Sequence, residues 1–262
     1  AWRTLLLHAG TRIGALIILP MKLISWNTRG LGDPSKRHAV SLVISPQKVD
    51  ILFLQESKLS DPTPNTLRQI GGPFLTGWAH INAVGSSGGI LTAWNESVWS
   101  HCQTFYHTAA LHVALRHLQT NTIFFFTNIY GPHNPRDRND LWTNCLSFSS
   151  HINGPWVVGG DFNTTKSPTE RNSGNLSQDS EAFNQFINQC SLIDPPINNR
   201  LYTWSNRRSD PSLAKLDRFL FNPAWEDLFP LSIVSGLATV ISDHCPLLLD
   251  TGSLTCHNRP FR

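Results

Sequence analysis

The sequence predicts one layered α/β domain. Three observations carry this. Short apolar runs of strand length recur along the whole chain, with a few amphipathic helical stretches between them. No internal repeat and no linker-like segment divides the 262 residues. The length suits one large domain or two small ones and allows a substantial core, and the aromatic content, with 9 Trp and 14 Phe, argues against disorder.

Taken in order, residues 22–27 (KLISWN) read as a strand, and Gly30, Gly32 and Pro34 mark a turn. Ser35 is placed to cap a helix over about 36–46, with Ala39, Val40, Val43 and Ile44 as its apolar stripe. Residues 49–54 form a nearly unbroken apolar run, as expected of a strand buried on both faces. The segment 60–73, with three Pro and a Gly pair, reads as loop. Strands follow at 88–94, 98–106, 110–118 and 121–129. In the third of these, Leu111, Val113 and Leu115 alternate with His112, Ala114 and Arg116, which predicts one solvated face. A helix over 135–151 has Asn134 as N-cap, Pro135 at its first position and Asp137 at its positive end. A short buried strand (155–160) and a polar loop (163–178) precede a second helix over 179–192. Its buried face is Ala182, Phe183, Phe186, Ile187 and Cys190. Strands at 200–205, 216–221, 231–236 and 245–249 complete the reading.

Composition narrows the function. Charged residues make up 15% of the chain, against roughly 25% in a typical soluble domain. The net charge of +3 excludes a histone-like polycation. It leaves nucleic acid open, because local patches do the binding. The 5 Cys are odd in number and form no C-x-x-C. They read as buried free thiols in a reducing, intracellular compartment. Residues 13–20 are too short an apolar run to span a bilayer. Residues 1–20 lack a small-x-small cleavage site and read as an upstream extension, with the domain over 21–250 and the start of a linker at 251–262.

The chemistry-bearing residues stand at the ends of the apolar runs. Asn27 ends the first run, in W-N-T-R-G. Glu56 follows the second, in F-L-Q-E-S-K. Tyr130 lies in N-I-Y-G-P. Asp161 and Asn163 lie in G-G-D-F-N, Thr203 in Y-T-W-S-N, Asp217 in K-L-D-R, and Asp243 and His244 in S-D-H-C-P. A strand end is a rigid mount from which side chains can converge on a cleft. Taken singly, each of these polar residues reads as a turn, cap or rim residue; the ordered series is what points to a site. Such a set suits phosphodiester hydrolysis, which needs a cation, an oriented water and donors for developing negative charge. Glu56 is the leading Mg²⁺ ligand, with Asp243 near it or just behind, and Mn²⁺ could substitute. Asp161 can orient or deprotonate water. Asn163 and Tyr130 can donate to phosphate oxygens. Asp217 can fix the tautomer of His244, whose protonated form offsets charge on the phosphorane.

The series W-N-T-R-G-L-G, Q-E-S-K, G-G-D-F-N, Y-T-W-S-N, L-D-R and S-D-H-C-P-L resembles the endonuclease/exonuclease/phosphatase superfamily over about 21–250. It is most similar to the endonuclease domain of plant non-LTR (LINE-type) retrotransposon polyproteins, and is related to apurinic-site endonucleases and pancreatic-type deoxyribonuclease. The resemblance implies a four-layer α/β sandwich, two packed mixed β-sheets flanked by helices. It implies that Asn27 joins Glu56 in the metal and phosphate shell, that Asp243 supports the metal side, and that Thr203 helps the phosphate-facing edge. It implies a Mg²⁺-dependent endonuclease that nicks DNA to leave a 3′-hydroxyl for reverse transcription. A reverse transcriptase domain of the parent polyprotein is then a partner, and the nucleus the place of action. A phosphatase or phosphodiesterase acting on another phosphoester stays open, as does an inert retroelement remnant.

Basic residues with Trp204 read as a DNA-facing rim: Arg29, Lys36 and Arg37 near Asn27; Arg136 and Arg138 after Tyr130; Arg207 and Arg208 after Trp204; and Lys215 and Arg218 around Asp217. Arg207 and Arg208 are the preferred pair.

Overall fold

The computed structural model describes residues 20–252, apart from 86, 173–178 and 239–240. The readings made for residues 1–19 and for the end of the chain from 253 on therefore lie outside the described residues, as does Cys256. In chain order the strands are β1 (Lys22–Asn27), β2 (Ile51–Gln55), β3 (Gly77–Val84), β4 (Ser87–Trp94), β5 (Trp99–His107), β6 (Ala110–His117), β7 (Ile123–Tyr130), β8 (Trp156–Asp161), β9 (Trp204–Ser205), β10 (Leu213–Ala214), β11 (Asp217–Phe221), β12 (Ile233–Gly236) and β13 (Leu247–Asp250). The helices are α1 (Pro34–Ile44), α2 (Pro64–Gly71), α3 (Pro135–Ser149), α4 (Ser180–Gln189) and α5 (Pro223–Leu228).

Two mixed sheets form the centre. One has the order β12-β13-β1-β2-β4-β3 and the other β11-β8-β7-β6-β5. They pack face to face over a core that includes Leu23, Phe53, Val113, Phe126, Val157, Phe219 and Leu247. The opposite face of the first sheet (Ile24, Trp26, Leu52, Leu54) is covered by Val40 and Ile44 of α1 and by Leu67 and Ile70 of α2. The opposite face of the second (Ala114, Phe125, Val158) is covered by Leu141, Trp142 and Cys145 of α3 and by Phe183 and Phe186 of α4. This is the four-layer α/β sandwich that the resemblance implied. Among the described residues no helix is long and apolar enough to cross a membrane.

Several local readings are corrected. The cap of α1 is Asp33, whose carboxylate accepts from the Ser35 N–H, and Pro34 takes the first helical position. Residues 64–71 form a helix rather than loop. Pro64 starts it, the Thr63 hydroxyl accepts from the Thr66 N–H, and Leu67 and Ile70 bury one face. A proline that reads as a breaker in mid-run is a starter at the first turn. Most of the expected solvated face of β6 is buried, with Arg116 half-buried: His112 is 1% exposed, stacks on Phe148 at 4.1 Å and is bracketed by Thr127 and Asn144. Burial lowers its imidazole to about 4, so it stays neutral. Of the strand read at 200–205, only Trp204–Ser205 pairs, with Leu213–Ala214. Strand β3 and the one-turn helix α5 carry weak periodic signals and were not predicted. Cys102 is exposed, whereas Cys145, Cys190 and Cys245 are buried free thiols as expected.

A polar bridge crosses the core between the two sheets. The Gln55 amide donates to Asn128 Oδ1 (2.7 Å) and Ser25 Oγ (3.1 Å). The Asn128 amide donates to the Leu91 carbonyl (2.9 Å) and to Thr92 Oγ1 (3.2 Å). All four side chains are fully buried, and Gln55 directly precedes Glu56. Asn128→Ala is expected to cost about 1–3 kcal/mol, because it strands buried partners. Urea unfolding of the variant beside wild type checks this.

Candidate active site

The strand directions explain why the predicted residues meet. β1 runs parallel to β2, and β7 parallel to β8. Asn27, Glu56, Tyr130 and Asp161 thus stand at the C-terminal ends of neighbouring strands. β11 and β13 run antiparallel to β8 and β1. Their N-terminal ends therefore bring Asp217, Asp243 and His244 to the same edge. Asp161 is the register partner of both Tyr130 and Asp217. The turns just beyond these ends are tight: Arg29, Glu56, Lys58 and Asn163 all have φ near +50°. Non-glycine residues rarely adopt this left-handed region, and such strain clusters at functional sites. Gly160 prepares the last strand end. A Cβ there would lie 2.0 Å from the Ile129 carbonyl oxygen, so only glycine lets β8 close on β7 beside Asp161.

A buried line of three groups forms the centre. His244 Nδ1 lies 2.9 and 3.1 Å from the two carboxylate oxygens of Asp217. His244 Nε2 lies 3.7 Å from Asp161 Oδ2. Asp161 accepts from the Asn27 side-chain amide (2.9 Å) and from the Asn163 N–H (3.0 Å). Each of the three central residues is 1% exposed. Their charges shape one another. Burial raises Asp161 to about 6, with His244 opposing and Asp217 adding to the rise. Burial alone would lower the His244 imidazole. Asp217 and Asp161 outweigh it and lift the group to about 9.

This has a consequence for stability. The unfolded histidine titrates near 6.5, so the folded state holds the proton more tightly. That contribution is complete below about pH 6.5 and is lost as pH rises through 9. The unfolding free energy of the protein is expected to fall by roughly 2–3 kcal/mol across that window. Urea unfolding at a series of pH values, with the His244 ring protons followed by NMR, checks both the slope and its source.

Beside the line stands a second group. The Tyr130 hydroxyl donates to Glu56 Oε2 at 3.3 Å. Burial raises its pKa, and Glu56 and Asp161 raise it further, so it keeps its proton. The Arg29 guanidinium reaches Glu56 Oε2 at 2.9 Å and spans both Asp243 oxygens at 2.8 and 3.0 Å. Although burial opposes its charge, Asp243 and Glu56 raise its pKa further. Burial would raise Asp243, but Arg29 holds its carboxyl below the usual range. Trp204 Nε1 donates to Asp243 Oδ2 at 2.9 Å. A groove of about 640 Å³, lined by Glu56, Tyr130, His133, Arg136 and Asp140, opens alongside.

Several rim and edge readings are corrected. Thr203 is buried at 3% exposure. Its hydroxyl accepts from the Leu216 and Asp217 N–H groups (3.0 and 2.9 Å), which fixes the backbone under Asp217. Arg29 turns inward to the carboxylates rather than outward. Arg207 is exposed, but its guanidinium donates to the Ser242 carbonyl. Arg208 is exposed, its backbone N–H held by the Asn206 side chain, and Arg136 is exposed at the groove. Arg138 is buried against Asp179, and Arg218 against Glu170 and Asp194. Two supporting residues were missed. Ser242 donates to the Asn27 carbonyl (2.7 Å) and accepts from the His244 N–H (3.1 Å), tying the His244 turn to β1. Lys58 Nζ lies 3.3 Å from Glu56 Oε1. The S-D-H and Q-E-S-K motifs contained both residues, but neither motif indicates which way their side chains point.

The sequence matches the Endonuclease/Exonuclease/phosphatase family over residues 24–244, from β1 to the site histidine. The chain belongs to this family. A curated relative is an exodeoxyribonuclease of Bacillus subtilis (strain 168), 25% identical over an alignment of 260 positions that covers 87% of this chain and 98% of that protein. Among solved structures of this fold, the AP endonuclease LMAP from Leishmania major superposes with a TM-score of 0.66 at 15% identity, covering 88% of this chain and 87% of that one. The endonuclease domain of TRAS1, a telomere-specific non-LTR retrotransposon, gives 0.64 at 12% identity, covering 88% and 97%. Membership of the family makes the chain a nuclease-like hydrolase, with its six family motifs gathered on one edge of the sandwich.

Proposed function

We propose that this chain is a divalent-metal-dependent endonuclease that nicks DNA and leaves a 3′-hydroxyl. The Asp161–His244–Asp217 line, set beside Tyr130, Glu56 and Asn163, carries the reading. Hydrolysis of a phosphodiester requires a base for water and positive charge or donors for the phosphate. An Asp161 carboxyl poised near 6 is ionised at neutral pH yet basic enough to orient and deprotonate water. Protonated His244, held by Asp217, supplies a buried positive charge beside it. Tyr130, kept protonated, and the Asn163 amide are donors for phosphate oxygens. The Asn163 amide already donates to the Gly131 carbonyl at 2.6 Å, which fixes its orientation.

The donor set for a hard cation is all oxygen: the carboxylates of Glu56 and Asp243 and the amide oxygen of Asn27. That chemistry fits Mg²⁺, and Mn²⁺ as a substitute. When bound there, the ion would neutralise part of the charge of the scissile phosphate. Trp204, Arg136 and Arg208 would contact the flanking DNA strand, Arg136 from the groove beside Tyr130. The likeness to the TRAS1 domain and the motif series favour a retroelement setting, in which the 3′-hydroxyl primes a reverse transcriptase in the nucleus.

Supercoiled plasmid tests the reading. In Mg²⁺ the protein is expected to convert it to open circles, whereas EDTA or Asp161→Ala abolishes the conversion. Absence of nicking by folded wild-type protein would overturn it.

A further inference from the structure

We propose that Arg29 is a built-in competitor for the divalent cation. In the free protein its guanidinium occupies Glu56 and Asp243, and a DNA phosphate draws it away, so cation and DNA bind cooperatively. The inference rests on the assignment of Glu56, Asp243 and Asn27 to the metal side.

All three of those residues touch Arg29. The guanidinium makes one charge-assisted bond to Glu56 (2.9 Å) and a forked pair to Asp243 (2.8 and 3.0 Å). The Arg29 N–H donates to Asn27 Oδ1 at 3.1 Å. Other donors reach the same carboxylates. Lys58 lies 3.3 Å from Glu56 Oε1, Tyr130 donates to Glu56 Oε2, and Trp204 donates to Asp243 Oδ2. Each of the four carboxylate oxygens thus has a donor. The two carboxylates face two cations, so an entering divalent ion meets a neutral set in place of a doubly negative one. A Mg²⁺ ion sheds water reluctantly and relies on one or two carboxylates.

The side chain of Arg29 is built to leave while its backbone stays. The backbone is fixed by the bond to Asn27 and by Lys36 Nζ, which donates to the Arg29 carbonyl at 3.1 Å. The side chain keeps 33% exposure, against 8% for Glu56. A phosphate offers the guanidinium the same forked geometry as a carboxylate. A shift of Arg29 to DNA would strip positive charge from the carboxylates just as the substrate arrives. By linkage, whatever factor DNA adds to cation affinity, the cation adds to DNA affinity.

Free Mn²⁺, counted by EPR during titration, reads this without turnover. Arg29→Met is expected to bind Mn²⁺ roughly tenfold tighter or more than wild type, within the range of ordinary coupling. Arg29→Lys, which keeps the charge but loses the fork, is expected to fall between. Adding Glu56→Gln to Arg29→Met is expected to remove the gain and so locate the ion. A short phosphorothioate duplex is expected to tighten Mn²⁺ binding to wild type and to leave Arg29→Met unchanged. Equal or weaker Mn²⁺ binding by folded Arg29→Met and Arg29→Lys, or a gain that survives Glu56→Gln, would overturn the inference. The two readings fail separately: absence of plasmid nicking by wild type counts against the nuclease, and unaltered Mn²⁺ affinity beside intact nicking counts against the role of Arg29 alone.

Discussion

Replacing His244 by alanine is expected to lower plasmid nicking by about 10³-fold or more. The size follows from the position of the ring. His244 is the only cation in direct contact with the buried Asp161 and Asp217 carboxylates among the described residues. Without it, two buried acids face one another. Burial and the neighbouring Asp217 charge then favour the protonated form of Asp161. Asp161 already sits near 6 with the imidazolium present, so its loss would push the carboxyl further up and leave it neutral at pH 7. A single substitution thus removes the positive charge beside the phosphate and disables the base as well. Protonation of Asp161 limits the cost to folding, so circular dichroism is expected to show the native sandwich. Nicking within tenfold of wild type by a folded variant would remove His244 from the reaction.

The largest stability effect is expected at Arg218, next to Asp217. Its guanidinium is 1% exposed and donates to Glu170 at 3.0 and 2.7 Å and to Asp194 at 2.9 Å. It also lies over the Phe183 ring, 5.3 Å from the centroid. These contacts tie β11, α4, the short turn Pro168–Glu170 and the segment that follows α4. Burial would raise both acids, yet Arg218 outweighs it and holds Glu170 and Asp194 below their usual range. Breaking such a pair by removing one partner costs about 3–5 kcal/mol, because the remaining charges stay buried. Arg218→Ala is expected to lose that much in urea unfolding. Nicking is expected to fall as well, since Asp217 shares the strand that would loosen. A loss below about 1 kcal/mol would mean that Lys166 and Lys215, which also contact Asp194, suffice to neutralise the acids.

The same arginine shows where the sequence could be read and where it could not. The residues of the central line were legible because each follows or precedes an apolar run, and such runs mark strand ends. Asn27, Glu56, Tyr130, Asp161 and Asp217 all stand where that logic puts them. Arg138 and Arg218 were read as a DNA-facing rim because an isolated charge is costly to bury. Their partners Asp179, Glu170 and Asp194 lie 24 to 48 residues away in the chain, so pairing was invisible. Arg29 was misread for a related reason. Its position beside Gly30 suggests an exposed turn, and only the left-handed backbone at that residue sends its side chain back to Asp243, 214 residues later. The Gln55–Asn128 bridge was hidden in two apolar runs that read as uniform core. Helix α2 was lost because the first of its eight residues is a proline.

The division of the site between the two sheets has a mechanical meaning. Asn27, Glu56, Asp243 and His244 ride on one sheet; Tyr130, Asp161, Asn163 and Asp217 ride on the other. The Asn27–Asp161 and His244–Asp217 contacts are therefore stitches across a seam rather than bonds within one rigid plate. Any slip of one plate over the other by a fraction of a hydrogen-bond length unpicks both stitches at once, while every strand pairing inside each plate survives. Activity in this architecture is a strain gauge for the seam, set to read zero before the fold itself gives way.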